Sequence, residues 1–114
     1  MPQIRVEVEQ VLRYIGMNGT KKGFWCLYWG VVLAMEDPPI LGEVTKRLYP
    51  AIAEVCGMTP VNVQRDMRTL VEWCWQYGDH DALCKVAGRR LLDKPAVGEL
   101  LDYIASYLRT QGYF

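Results

Sequence analysis

The sequence is nearly without histidine and carries no net charge: one imidazole in 114 residues, and thirteen basic side chains cancelled by thirteen acidic ones. A single histidine leaves little from which to build a zinc site of the usual Cys/His type. The four cysteines, Cys26, Cys56, Cys74 and Cys84, include no C-x-x-C pair, and each falls within an apolar helical pattern. They read as free, reduced, mostly buried thiols of a cytosolic protein. The missing net charge withholds a global positive field. A phosphate footprint, however, depends on where cations cluster rather than on their sum.

Membrane-length runs are lacking as well. Residues 24–35 are apolar throughout, but this falls short of the roughly 20 residues needed to cross a bilayer. A nearly all-round buried helix is the better reading of that run. The N-terminal segment alternates charged with apolar residues and has no signal-peptide pattern, so a soluble, cytoplasmic protein is expected. Period-two alternation is confined to a few residues near Val6 and Val8. No nucleophile, paired-carboxylate or cofactor motif stands out, so no catalysis, cofactor or metal is expected.

What is present is helical periodicity. At 51% hydrophobic, the chain can form one compact domain over residues 1–114 with a modest core. Ile4, Val8, Val11, Leu12 and Ile15 predict a first helix, stopped by Gly16 and Gly19. Thr20 is expected to cap the next, which runs to about residue 35. Asp37-Pro38-Pro39 breaks the chain, and a third helix is expected over residues 41–48. Pro50 opens a short helix to Cys56, Thr59 caps a long one starting at Pro60 and ending near Gly78, and a short one covers residues 81–86. Residues 88–95 form a basic loop, and 97–108 a final amphipathic helix. The predicted fold is all-α, a compact bundle of about six helices.

The segment 48–68 holds the main functional signal. It predicts a short helix, a tight turn at Gly57, and a second helix opening on Thr59-Pro60. That is the layout of a helix-turn-helix, whose second helix enters a DNA major groove. With Val63 at the centre of the inward face, Met67, Leu70, Val71 and Cys74 join it, while Val61, Arg65, Arg68 and Glu72 point outward. Asn62 and Thr69 lie on one shoulder and Gln64 on the other. Arginine can bind guanine O6 and N7 with two hydrogen bonds, and Asn or Gln can bind adenine N6 and N7 likewise. The alternative is a plain helical hairpin whose arginines are solvated or pair with Asp66, Glu72 or Glu54.

Other groups are weighed the same way. Lys21, Lys22, Lys46, Arg47, Arg89, Arg90 and Lys94, with Thr59, are candidate phosphate contacts, against the alternative of solvated surface. Asp79-His80-Asp81 resembles a catalytic fragment, but adjacent residues do not converge on a point, and Asp79 or Asp81 is expected to cap the helix that follows. Helical spacing places Trp25, Trp29 and Trp73 in the core, with Trp75 partly exposed. Tyr103, Tyr107, Tyr113 and Phe114 make the C-terminus aromatic, through core docking or a dimer contact.

The order of several short motifs carries a family resemblance. Ile15-Gly16 precedes Lys22-Gly23-Phe24; Val44-Thr45-Lys46 leads to Leu48-Tyr49-Pro50-Ala51-Ile52-Ala53. Thr59-Pro60 is followed by Val63, Arg65 and Arg68, then by Gly78, Lys94-Pro95 and Glu99. In this order, from about residue 15 to 108, the chain resembles the C-terminal DNA-binding effector domain of the stage-zero sporulation protein A family. These are the response regulators that initiate sporulation in endospore-forming bacteria. The resemblance implies a six-helix domain that binds double-stranded DNA at a short repeated box, as a homodimer on tandem sites, with a contact to RNA polymerase. It also implies a phosphoacceptor receiver domain ahead of this one, which these residues do not contain. Arg65 and Arg68 match arginines of the family's recognition helix, so contact with DNA carries over to them. Asn62 stands where an arginine is typical, Gln64 where a glutamate is, and Thr69 where a histidine is. The expected function is therefore sequence-specific DNA binding with altered specificity. The rival is a protein-interaction module that kept the fold and lost DNA reading.

Overall fold

The computed structural model describes residues 2–112, and side chains over 6–112. The side chain of Ile4 falls outside that range, and Tyr113 and Phe114 lie outside the described residues. Six α-helices follow in order: α1 (Pro2–Tyr14), α2 (Phe24–Glu36), α3 (Tyr49–Cys56), α4 (Pro60–Tyr77), α5 (His80–Ala87) and α6 (Val97–Thr110). No strand occurs among the described residues, and no helix there is long and apolar enough to cross a membrane.

The apolar helix α2 is the centre of the packing. It touches α1, α3, α4 and α6, and Phe24, Leu27, Val31 and Ala34 are sealed from solvent. Burial on nearly all sides explains why its sequence shows little amphipathic contrast. From α1 it receives Val8, Val11 and Leu12, and from α6 Leu100, Leu101, Ile104 and Leu108 join the same core. One stripe stays open: Trp25 and Glu36 are exposed, and Trp29 and Leu33 are half-buried between them. Trp25, expected in the core, is therefore 45% exposed. Its ring packs edge-on against Phe24 and Tyr28 at centroid distances of 5.0 and 5.2 Å. Trp73 and Trp75 are half-buried, the latter 4.7 Å from the His80 ring.

Two local expectations are corrected. Thr20 does not cap α2; its N–H, at 3.0 Å, and its hydroxyl both donate to Asn18 Oδ1 and close a turn instead. The helix starts four residues later, after Gly23 in the left-handed conformation at φ 89°. A Cβ at Gly23 would stand 2.4 Å from the Asp66 carbonyl oxygen, so the start of α2 rests directly on the backbone of α4.

Residues 41–48 are not one α-helix. A 3-10 turn (Pro38–Gly42) is followed by a wider π-turn (Val44–Leu48) that runs straight into α3. The Arg47 and Leu48 N–H groups both donate to the Glu43 carbonyl, at 2.8 and 3.2 Å. Pro50 explains the widening: it has no N–H to give the Lys46 carbonyl and its ring crowds that oxygen. A regular α-turn cannot run through that point.

Candidate nucleic-acid interface

Chemistry at the turn between α3 and α4 sets the angle at which α4 is presented. Gly57 ends α3 at φ 67°, with its N–H on the Ala53 carbonyl, and Met58 N–H donates to the same oxygen at 2.9 Å. Thr59 is extended and its Oγ1 accepts the Asn62 N–H at 3.2 Å. Pro60 takes the first helical position, where its missing N–H costs nothing. The buried Ala53 lets the two helices come close. Val63, Met67, Leu70, Val71 and Cys74 are buried along one face of α4, as the spacing predicts. At the far end, the Cys74 thiol and the Asp79 N–H both donate to the Ile15 carbonyl, at 3.3 and 3.0 Å. Asp79 Oδ1 in turn accepts the Ala82 N–H at 3.0 Å and caps α5.

The opposite face is the candidate interface. Val61, Arg65, Arg68 and Thr69 are exposed, and Asn62 and Gln64 are half-buried on the shoulders. Spacings of four and three residues put Val61, Arg65 and Arg68 on one stripe of the N-terminal half. Arg65 Nε donates to Asp66 Oδ1 at 3.3 Å. Among the described residues Asp66 is the one buried charged side chain. The contact uses Nε, so the paired Nη groups are not consumed by it.

Glu72 continues the stripe toward the C-terminus. Its carboxylate takes an ion pair from Lys94 and accepts from Gln76 Nε2 at 3.1 Å. The Lys94 hydrogen bond is the main reason its carboxyl is held below the usual carboxylate range. The loop before α6 thus neutralises the acidic member of the stripe, and that task does not fall to Arg68.

The cations expected to touch phosphates divide into groups. Lys22, Lys46, Arg89 and Arg90 are exposed. Arg47 pairs with Asp37 and with Glu43, the latter at 3.3 Å, and hydrogen bonding to Asp37 first and Glu43 second raises its pKa. Lys94 is held by Glu72 as described, and Lys21 lies 4.4 Å over the Trp73 ring. The Thr59 hydroxyl serves as the cap.

Residues 8–108 match the family model described as sporulation initiation factor Spo0A C terminal. The chain belongs to this family. The match covers α2 to α5 entirely, most of α6, and every exposed residue of the α4 stripe. Membership in the Spo0A C-terminal family makes this a helical DNA-binding domain of a sporulation regulator.

Within that frame, one feature was not visible in the sequence. A groove of about 970 Å³ opens beside Arg68, between residues 38–44, the middle of α4 and the start of α6. Tyr49 lines it together with Leu41, Val44 and Val71. Burial raises the Tyr49 hydroxyl, and the positive charge of Arg68 opposes the rise. The buried thiols offer no nucleophile: burial pushes Cys26 up to about 12 and Cys74 up to about 11, so both are protonated at neutral pH. No three His, Cys, Asp or Glu side chains come together as a metal site among the described residues.

Proposed function

We propose that α4 is a recognition helix, about residues 60–77, that enters the major groove of double-stranded DNA and reads a specific sequence. The observation that carries this reading is the exposed stripe on a firmly capped helix: Arg65 and Arg68 face solvent above a fully packed inner face. Arg65 and Arg68 bind guanine edges, and Asn62, Gln64 and Thr69 adjust which neighbouring bases are accepted. Lys22, Lys46, Arg89 and Arg90 take phosphates and add affinity without sequence information. Lys94 and Arg47, although exposed, already hold intramolecular ion pairs with Glu72 and with Asp37 and Glu43, and so contribute less to phosphate binding. Two copies bind adjacent sites as a homodimer, since one small module offers limited interface. Family membership also supports a cytoplasmic regulator that contacts RNA polymerase when bound at a promoter.

A fluorescence titration tests this with three duplex types: the family's repeated box, a scrambled box, and sequences selected from a random library. Specific binding to a box or selected duplex is expected, weakening with salt. Arg65→Ala is expected to cost about 1–3 kcal/mol on the specific duplex and little on the scrambled one. Absence of binding to every duplex at low salt overturns the reading.

A further inference from the structure

We propose that Val61 reads the methyl group of a thymine next to the arginine-contacted bases. The inference rests on the major-groove reading of α4, and goes beyond it by assigning an apolar contact to a residue that none of the hydrogen-bonding arguments uses. Val61 is 72% exposed, on the first turn of α4 and on the same stripe as Arg65 and Arg68. Nothing in the fold calls for valine there. It makes no part of the core, and a β-branched residue is a weaker helix former than most. The other large exposed aliphatics, Val6, Val55 and Leu92, lie on other elements: α1, α3 and the loop before α6.

The chemistry of the groove matches the position. The N-terminal residues of a recognition helix are the ones that meet base edges. Among major-groove features, the C5 methyl of thymine is the apolar one, and aliphatic side chains are its partners. Val61 is flanked by Asn62 and followed one turn later by Arg65, so an apolar reader sits among polar ones. Valine is stiff at χ1 in a helix, and its γ-methyls are therefore already positioned before DNA arrives. The Thr59 cap and Pro60 fix the backbone immediately before it.

The test uses duplexes that the protein itself selects from a random library. Each thymine of the enriched site is replaced singly by deoxyuridine, which removes the methyl and leaves the hydrogen-bonding edge intact. Wild-type protein is expected to lose about fourfold in affinity at one position, as burial of one methyl-sized group at ~0.8 kcal/mol implies. Val61→Ala, a better helix former at an exposed site, is expected to bind the thymine and deoxyuridine duplexes equally. Arg65→Ala should bind more weakly and keep the methyl sensitivity. An enriched site with no deoxyuridine-sensitive position, or with sensitivity that survives in Val61→Ala, overturns the assignment and leaves the groove reading intact. Selection that enriches no sequence overturns both.

Discussion

Gly23→Ala should destabilise the fold by about 2–4 kcal/mol, and Gly57→Ala by only about 1 kcal/mol. Both glycines have positive φ, 89° at Gly23 and 67° at Gly57. A non-glycine residue held there costs about 1–2 kcal/mol, offset in part by the lower entropy of the unfolded alanine chain. At Gly57 that strain is the whole effect, since an added Cβ meets nothing within 4 Å. At Gly23 the Cβ would stand 2.4 Å from the Asp66 carbonyl oxygen and 2.9 Å from its carbon. These are backbone atoms in mid-helix and cannot rotate aside, so α2 or α4 must move, which adds roughly 1–3 kcal/mol of overpacking. Urea unfolding followed by the fluorescence of the four tryptophans measures both variants. Equal losses would show that the start of α2 does not rest on the backbone of α4.

Lys94→Ala should weaken specific DNA binding about twofold by freeing Glu72 to compete for Arg68 four residues before it. Lys94→Ala combined with Glu72→Gln should restore it; a double variant that stays weak in the titration would mean that Lys94 contacts a phosphate directly. Alkaline stability is expected to fall as pH rises past 9.0, the ordinary thiol value, toward the raised values of about 11 for Cys74 and about 12 for Cys26. The sign follows from linkage: the unfolded chain ionises these thiols first, so the stability is complete below 9.0 and is lost through that window. Urea midpoints across that range should fall less steeply for the Cys26→Ala, Cys74→Ala variant than for wild type, and equal slopes would refute the burial argument.

The helix α4 was legible because two independent local signals agree there. Thr59-Pro60 is a start signal that works through its own backbone, and the spacing of Val63, Met67, Leu70 and Cys74 sets the inward phase without knowledge of any neighbour. The segment 38–48 was not legible for the opposite reason. Leu41, Val44 and Leu48 have helical spacing, but Pro38, Pro39 and Pro50 disrupt the hydrogen-bond ladder from both ends. The start of α2 depends on a long-range contact, Gly23 against Asp66, that no capping rule contains. Trp25 was misplaced because α2 is apolar on every side, so its pattern has no phase, and the uncovered stripe depends on which helices pack where. The stripe residues Arg65 and Arg68 were readable as exposed; the partners of Lys94 and Arg47 were not. Glu72 lies 22 positions from Lys94 and Asp37 lies 10 from Arg47, and charge alone does not select among thirteen acids.

Zero net charge and a nucleic-acid face are compatible because of which acids are paired. An acidic side chain opposes phosphate binding when it is uncompensated and close to the groove; at more than a Debye length, about 10 Å at 0.1 M salt, it is largely screened. The carboxylates nearest the α4 stripe in sequence are Asp66 and Glu72, and each has a cationic partner: Arg65 through Nε for the first, Lys94 for the second. A paired carboxylate presents the field of a dipole, which falls off faster than that of a charge. Around residues 37–47 the same pairing joins Arg47 to Asp37 and Glu43, and leaves Lys46 exposed beside it. Cancellation over the whole chain therefore coexists with a stripe on α4 where Arg65 and Arg68 are exposed and the neighbouring acids, Asp66 and Glu72, are already paired. The pairing also ties the proposed reading face to the fold: the loop before α6 holds Lys94 against Glu72, so a change in that loop, far from α4 in sequence, is expected to reach that face through one ion pair.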